Sequence, residues 1–363
     1  MKHFFRFSRL LGAMGLGLGL TSAALAQSTD NTPKYANEFL NIGVGGRALG
    51  MGNTQVSLAQ DATAGYWNPA GLLNQKAKYD AVLMHSELFS GIVKNDYAAF
   101  AMPLDEKSAI GASIIRLGVD DIADTRALVN EYGQIDYSRI SYFSVADYAL
   151  LLSYARKLGP EGLTLGGSGK IVYRNVGSFA TAWGFGFDAG AQYQRGNWRL
   201  GLMARDITTT ITAWSINSDK FRESTNDTLS IPKSSSEITL PRFVLGAAYN
   251  VKLPGQFTAL VATDLEMTTD GQRNTAVSTS FVSIDPKLGL EIGYNNVAFL
   301  RAGVSNFQKI EGTTSTKESW RAQPSLGVGF TASGLRLDVA LSRLAVEQAK
   351  TNSIIVSLGY GFH

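Results

Sequence analysis

The sequence predicts an all-β protein: a transmembrane antiparallel β-barrel of about 14 strands with an N-terminal plug, or hatch, segment. Three observations predict this fold. They are a secretory signal, long segments that alternate apolar and polar residues, and a regular succession of short and long connections. The chain contains no cysteine, which excludes disulfides and thiolate chemistry and suits export through an oxidising compartment.

The first 26 residues have the layout of a cleavable secretory signal. Lys2, Arg6 and Arg9 precede the apolar residues 10–20, and Ala-Leu-Ala at 24–26 provides a cleavage site. This apolar run is shorter than the roughly 20 residues that a membrane-spanning helix needs. We therefore expect residues 1–26 to be removed and the mature chain to begin at residue 27.

The charge of the mature chain is balanced. Removing the signal takes three of the 33 basic residues and none of the 30 acidic ones, so 30 of each remain. Binding to nucleic acid depends on clustered Lys and Arg side chains, and the sequence has no such cluster. Nucleic acid is therefore not an expected partner.

From about residue 78 onward, apolar residues alternate with polar or small ones, which is typical of strands with two different faces. Trp183, Phe185 and Phe187, for example, share one face of a predicted strand. Most predicted strands reach the roughly 9–11 residues that a tilted strand needs to cross a bilayer, whereas soluble strands average about 5–6. The predicted strands are 78–90, 94–103, 108–119, 143–157, 162–176, 179–194, 198–214, 239–252, 256–267, 285–295, 297–305, 322–332, 334–346 and 352–363.

The connections between these strands follow the pattern of outer-membrane barrels, in which short periplasmic turns alternate with longer outer loops. The longer loops are rich in Ser, Thr, Asp, Asn and Gly, and three other outer connections, near residues 91, 177 and 349, are short. The predicted long loops are 120–142, 215–238, 268–284 and 306–321. We therefore assign residues 78–363 to a barrel in the bacterial outer membrane, in contact with its lipid.

The last strand resembles the closing-strand signal that the barrel-assembly machinery reads. Its outward residues include Tyr360 and Phe362, and His363 follows the terminal aromatic, which departs from the usual ending. We expect Tyr360 and Phe362 to act as the assembly signal. Aromatic residues near strand ends are also typical of the girdles at membrane interfaces. The candidates for such girdles are Trp183, Tyr193, Trp198, Tyr249, Tyr294, Tyr360 and Phe362.

Residues 27–77 lack the strand pattern and are dense in Gly and Ala. The lumen of a barrel of about 14 strands is too wide for its own side chains to fill, so water or a plug must occupy it. Small residues allow close packing against a wall. We therefore predict that residues 27–77 form a plug inside the barrel.

Two motifs in this segment resemble the N-terminal signature of the PorV/PorQ family of Bacteroidota outer-membrane proteins. They are NEFLNIGVGGRALGMG at 37–52 and ATAGYWNPAGL at 62–72. That family belongs to the wider FadL-like group of fourteen-stranded barrels with an N-terminal hatch. Residues 68–70 resemble the hatch tripeptide of that group. The hatch residues that the resemblance singles out are Gly43, Gly45, Arg47, Gly50, Gly52, Asn68, Pro69 and Ala70.

An enzyme is not expected, because no nucleophile, base and orienting group can be assembled from these residues. The resemblance implies two other functions. The first is a role in type IX protein secretion or surface attachment of cargo, with the translocon or its cargo as partner at the outer loops. The alternative is FadL-like passive uptake of a hydrophobic small molecule. Uptake predicts an apolar pocket between hatch and wall, and the uptake group also requires an interrupted third strand.

The remaining chemical motifs favour structural roles. Residues 43–48 are a degenerate dinucleotide fingerprint without the βαβ unit that such a motif needs, so no cofactor is expected. His85 has no second His to share a metal, and Asp264 and Glu266 lie on a face that a barrel turns to its lumen. A catalytic carboxylate pair is therefore not expected. The residues predicted to pair in the lumen are Lys170, Arg174, Arg205, Arg242, Lys287, Glu291, Arg336 and Asp338.

Overall fold

The structure is a computed structural model, and it describes residues 36–130, 132–158, 161–218, 220, 233–311, 318–345 and 350–362. The predicted secretory signal, the expected start of the mature chain and His363 lie outside the described residues. So do parts of the predicted loops 215–238 and 306–321.

The described chain is mostly strand, as the long alternating segments predict. The strands are β1 (Tyr79–Leu88), β2 (Val93–Asp105), β3 (Ser108–Asp124), β4 (Ser141–Lys157), β5 (Leu163–Val176), β6 (Ala180–Arg195), β7 (Trp198–Arg205), β8 (Thr210–Ile216), β9 (Ser234–Thr239), β10 (Arg242–Lys252), β11 (Phe257–Thr268), β12 (Val277–Ser278), β13 (Ser283–Tyr294), β14 (Ala298–Glu311), β15 (Glu318–Ala332), β16 (Leu335–Ala345) and β17 (Lys350–Phe362).

The sheet closes on itself because β1 pairs antiparallel with both β2 and β17, with Tyr79 opposite Phe362. β7 and β8 both pair with β6 and together form one wall strand, and β9 with β10 form the next. β12 is a short addition to β13 within an outer loop. The result is a closed antiparallel barrel of 14 strands, which confirms the predicted fold class.

The two faces of the wall differ as the alternation predicts. On β6, Phe185 and Phe187 are 60% and 58% exposed, whereas the neighbouring Asp188 is only 6% exposed and faces the lumen. Water would penalise such an apolar exterior on every strand, while lipid accepts it. The apolar outer wall and the closed fold therefore place the protein in the outer membrane.

Aromatic pairs lie at both ends of the wall. Trp198 packs against Tyr249 with ring centroids 4.7 Å apart at the end that carries the short turns, and Tyr360 packs against Phe362 at 4.5 Å near the same end. Tyr173 and Trp183, also 4.7 Å apart, lie nearer the long loops. The end with the short turns is the periplasmic end, and the end with the long loops is the outer end.

Several strands continue beyond their predicted ends. β3 runs to Asp124 and β4 begins at Ser141, and β14 and β15 reach Glu311 and Glu318 in the same way. Backbone pairing does not need an apolar face, so these hairpins extend through polar sequence above the membrane. The predicted seventh and eighth strands are each interrupted.

Residues 36–77 lie inside the barrel, and most of them are buried. They form short helical turns, of which Gly46–Gly50 is α1 and Ala64–Trp67 is α2, with 3-10 turns at Glu38–Asn41 and Pro69–Asn74. A further 3-10 turn, Tyr137–Arg139, lies in an outer loop. Within the described ranges, no helix is long and apolar enough to span a membrane.

Candidate functional site

The first plug motif is anchored by an arginine. Arg47 of α1 donates from Nε and Nη2 to the two carboxylate oxygens of Glu291 on β13, at 2.8 and 2.9 Å. Glu291 also accepts from Arg301 on β14 at 2.6 Å, and Arg301 reaches Asp338 on β16 at 2.6 Å. Burial opposes the charge of Arg47, but the Glu291 carboxylate outweighs that effect and raises the pKa of Arg47. One plug side chain thus joins a network that crosses three wall strands.

The glycines of this motif fit where side chains would not. Gly43, Gly45 and Gly52 have φ values of +97°, +89° and +64°, in the region that favours glycine. A Cβ at Gly50 would lie 3.0 Å from the Cα of Gly327 on β15. The motif therefore needs glycine both for its backbone turns and for its close approach to the wall.

Asn68 of the Asn-Pro-Ala tripeptide is fully buried between plug and wall. Its Nδ2 donates to the carbonyl of Val56 in the plug at 2.9 Å and to that of Ala191 on β6 at 3.0 Å. Its Oδ1 accepts from the backbone N–H of Ala70 at 3.2 Å, and Pro69 begins the following 3-10 turn. Asn68 therefore connects the backbone of the plug to that of the wall.

Glycines on the wall face the plug at several heights along the barrel. Their inward positions in the strands are a sequence signal for close contact with the plug that the predicted site residues do not include. A Cβ at Gly303 of β14 would lie 2.1 Å from the nitrogen of Gly52, and one at Gly166 of β5 would lie 2.4 Å from the nitrogen of Ala70. Gly201 of β7 approaches the carbonyl oxygen of Val56 in the same way. Inward glycines on several neighbouring strands mark the path of the plug backbone.

The lumen charges are paired with one another or with the plug. Asp264 accepts from the backbone N–H groups of Gln55 and Val56 at 2.9 and 3.1 Å, and Glu266 binds Arg242 at 2.6 Å and Lys287 at 2.5 Å. The described residues contain no group of His, Cys, Asp and Glu that could hold a metal ion. His85 lies on the outer face beside Asp96, with Nδ1 2.6 Å from its carboxylate.

The other predicted lumen residues also have identified partners. Arg336 binds Asp80 at 2.8 Å rather than the Asp338 on its own strand. Arg174 binds Asp147 at 2.9 Å, and Arg205 donates to the carbonyl oxygen of Leu40 in the plug at 3.0 Å. These charges hold the wall and the plug together.

Tyr360 and Phe362 face outward on β17, and Phe362 lies opposite Tyr79 of β1 at the seam that closes the barrel. We expect Phe362→Ala to lower the amount of assembled barrel severalfold, because the closing strand loses the terminal aromatic that its assembly signal requires. Deletion of His363 is the matched control and should leave assembly unchanged. Heat-modifiable migration of outer-membrane fractions measures both variants, and equal, normal amounts of the two would contradict the role of Phe362.

A cavity of about 550 Å³, which we call the outer chamber, lies above the plug at the outer end. Its lining includes the apolar side chains of Ile42 and Leu49 in the plug and of Leu88 and Phe89 at the outer end of β1. Charged side chains line one side, namely Glu38, Arg242, Glu266, Arg273, Asp285 and Lys287. Uncharged polar side chains line another, namely Ser305, Asn306, Gln308, Gln323, Ser342 and Ser353. The chamber is thus not the apolar pocket that the uptake hypothesis predicts.

Glu38 in the plug binds residues of the wall and of an outer loop at the edge of the chamber. Its Oε1 accepts from Arg273 at 2.8 Å and from Arg242 at 3.3 Å, and its Oε2 accepts from Asn41 at 2.5 Å. Burial opposes the charge of Arg273, but Asp270 and Glu38 outweigh that effect and raise its pKa. The ion pairs therefore hold the 3-10 turn of the plug against one side of the chamber.

The wall is interrupted beside this turn. Residues 206–209 separate β7 from β8 and lie opposite residues 240–241, which separate β9 from β10. Asp206 and Thr209 have φ values of +54° and +63°, and Pro241 has no N–H to donate. We call this place the wall break. It lies within the apolar outer band, because the neighbouring Phe187 is exposed there.

A buried lysine holds the lumen side of the wall break. Lys170 of β5 binds Asp188 of β6 at 2.8 Å and Asp206 at 2.6 Å. The N–H of Asp206 donates to Asp188 at 2.7 Å, and the hydroxyl of Thr210 donates to Asp206 at 2.5 Å. These bonds satisfy polar groups that hydrocarbon could not satisfy.

A small cavity of about 20 Å³ lies between the outer chamber and the wall break. It shares Asn41 and Arg242 with the chamber, and Lys170, Asp188 and Asp206 line it at the break. Asn37 of the plug closes the small cavity at the wall break, since its Nδ2 donates to Thr239 at 2.8 Å and to Thr212 at 3.2 Å. The small cavity thus borders the chamber at two residues and reaches the break at three others.

The third strand is not interrupted. β3 pairs with β2 and β4 along its length, with one bulge between Val119 and Ile122 near the outer end. The sequence alone does not show whether the third strand is interrupted, as the uptake group requires; in the structure the wall is interrupted in the seventh and eighth wall strands. The signals for this interruption in the sequence are Pro241, Asp206 and the three threonines at 208–210.

No family model and no curated protein matches the sequence. Solved structures do match its fold. A monoaromatic hydrocarbon channel, CymD, has a TM-score of 0.57 at 14% identity, over 89% of this chain and 98% of that one. The Pseudomonas putida toluene transporter TodX has a TM-score of 0.57 at 15% identity, over 88% and 99%. A Pseudomonas aeruginosa FadL homologue has a TM-score of 0.52 at 13% identity, over 88% and 98%. The chain therefore has the fold of the FadL-like outer-membrane barrels.

Proposed function

We propose that this protein is a passive transporter that carries a small hydrophobic molecule from the outer medium into or across the outer membrane. The observation that carries the proposal is the outer chamber, which shares residues with a small cavity that ends at the wall break. A plugged barrel has no straight path through its lumen. A path that bends sideways at the break avoids the plug.

The position of the wall break favours an apolar cargo. Phe187 and Ile207 beside the break are 58% and 44% exposed on the outer face, within the apolar band. A molecule that leaves the lumen there enters hydrocarbon, which favours apolar molecules and rejects ions. Small shifts of Asn37 and of the turn Glu38–Asn41 would connect the chamber to this exit.

The solved structures of similar fold support transport over secretion. They are described as toluene transporters and a monoaromatic hydrocarbon channel, at 12–15% identity. The type IX secretion hypothesis, which the sequence places first, has only the plug motifs and the outer loops behind it. The geometry adds a chamber and an exit, which secretion does not need, so uptake becomes the preferred function.

Gene deletion tests the proposal. Cells that lack the protein should take up radiolabelled toluene severalfold more slowly than cells that carry a plasmid copy, because the lipopolysaccharide leaflet hinders apolar solutes. Their secreted proteins, measured by quantitative mass spectrometry, should be unchanged. Normal uptake together with a loss of secreted proteins would reject the transporter and restore the secretion hypothesis.

A further inference from the structure

We infer that the outer chamber selects an uncharged amphipathic molecule with a hydroxyl group, such as a phenol or an alcohol, rather than a bare hydrocarbon or an ion. This inference rests on the proposed transport function and specifies its cargo. Three features of the chamber carry it: its balanced charge, its unsatisfied hydroxyl groups and its apolar lining residues.

The charges around the chamber are balanced and already engaged. Three cationic and three anionic side chains line it, so their formal sum is zero. Arg242 and Lys287 share Glu266, at 2.6 and 2.5 Å, and Arg273 binds Glu38 at 2.8 Å. A charged ligand would have to break one of these pairs to gain a partner, whereas a neutral ligand leaves them intact.

Two hydroxyl groups in the lining lack a hydrogen-bond partner. Thr268 at the outer end of β11 is 6% exposed and Ser353 on β17 is 1% exposed, and neither hydroxyl oxygen has a partner among the described residues. Buried polar groups are normally hydrogen-bonded, so each of these hydroxyl groups would gain a hydrogen bond if its side chain rotated toward a ligand in the chamber. A ligand hydroxyl can both donate and accept, so it can satisfy either group, which a hydrocarbon cannot.

The apolar lining residues of the chamber suit the apolar part of such a molecule. Ile42 and Leu49 of the plug and Leu88 and Phe89 at the end of β1 contribute carbon surface among the polar side chains. The volume of about 550 Å³ lies within the range of roughly 300–1,000 Å³ that is typical of small-molecule sites. A molecule with one polar end and one apolar end matches both parts of this lining.

Three probes of nearly equal shape test the inference: 4-methylphenol, toluene and 4-methylbenzoate. Equilibrium dialysis of each radiolabelled probe against the full-length protein in lipid nanodiscs, with empty nanodiscs subtracted, gives the affinities. We expect 4-methylphenol to bind about 3- to 10-fold more tightly than either other probe, which corresponds to one net hydrogen bond. Thr268→Val and Ser353→Ala combined in one chain should remove most of that preference without changing the affinity for toluene.

Thr258→Val on the same strand β11, near the periplasmic end, is the matched control and should leave the preference intact. Equal affinity for toluene and 4-methylphenol, or tightest binding of 4-methylbenzoate, would overturn the inference. A preference that survives the double chamber variant would also overturn it. In each of these cases the transport function still stands if toluene uptake depends on the gene. If the uptake of none of the three probes depends on the gene, the transport function itself is rejected.

Discussion

Deletion of residues 36–72 is expected to turn a closed barrel into an ion-conducting pore. In this segment Met51, Trp67 and Leu72 are buried against the wall, and the wall alone leaves a lumen too wide for its side chains to fill. In planar bilayers the deletion variant should show large, steady conductance steps, whereas the intact protein should show little conductance.

Heat-modifiable migration must first show that the deletion variant has assembled. Removal of residues 127–138 from the outer loop is the control deletion, because it leaves the plug in place. The barrel of this control variant should stay closed to ions. An assembled deletion variant that conducts no more than the intact protein would show that residues 36–72 do not seal the lumen.

Lys170→Met is expected to destabilise the barrel strongly. The Lys170 side chain is 3% exposed, and its loss leaves Asp188 and Asp206 buried without their cationic partner. Breaking a buried ion pair in this way typically costs about 3–5 kcal/mol. The midpoint of urea unfolding, followed by tryptophan fluorescence in lipid vesicles, should fall accordingly.

The triple variant Lys170→Met, Asp188→Asn and Asp206→Asn should recover most of that loss, because it no longer buries unpaired carboxylates. Lys94→Met is the control on the outer face, where Lys94 binds Asp120 in an exposed pair, and it should change the midpoint little. If Lys170→Met unfolded at the same urea concentration as the original protein, the wall break would not depend on this ion cluster.

The barrel can be predicted from the sequence because the alternation that marks each strand involves only residues that are neighbours in the chain. A strand that separates lipid from lumen must alternate its side chains, and Trp183, Phe185 and Phe187 show that alternation without any knowledge of their neighbours. The number of strands follows from counting such segments. The outer hairpins are longer than predicted because they continue through polar sequence, such as residues 120–124, where alternation is no longer required.

The candidate site is less predictable because it depends on contacts between distant residues. The pairing of Arg47 with Glu291 joins positions separated by 244 residues, and nothing in either motif identifies the partner. The wall break is similar, since Lys170, Asp188 and Asp206 each read as ordinary lumen charges. Only the pairing of β7 with β10 and of β8 with β9 brings Pro241 opposite the interrupted segment.

The plug residues are an intermediate case. The motif resemblance singles out Gly43, Gly45, Gly52 and Asn68, and the structure places them at left-handed turns and at a contact with the wall. Their assignment as the hatch residues of this barrel stays a prediction. The orphan hydroxyl groups of Thr268 and Ser353 carry no sequence signal at all, because serine and threonine are common throughout the outer half of the barrel.

The most direct test of the transport route is a reversible lock at the wall break. Asn37 of the plug and Thr239 of the wall are 2.8 Å apart at their side-chain nitrogen and oxygen, and the chain has no cysteine of its own. A disulfide between Asn37→Cys and Thr239→Cys, once mass spectrometry shows that it has formed, fixes the plug to the break. Ser153→Cys with Ser168→Cys, whose hydroxyl oxygens are 2.7 Å apart on β4 and β5, provides a disulfide control within the wall.

Uptake of radiolabelled toluene by cells that carry each variant, measured with and without dithiothreitol, is the deciding measurement. The proposed route predicts that the oxidised plug-to-wall variant takes up toluene no faster than cells without the gene, and that reduction restores uptake. The control pair should transport normally in both states. Full uptake by the oxidised plug-to-wall variant, with the disulfide confirmed by mass spectrometry, would contradict the route through the wall break.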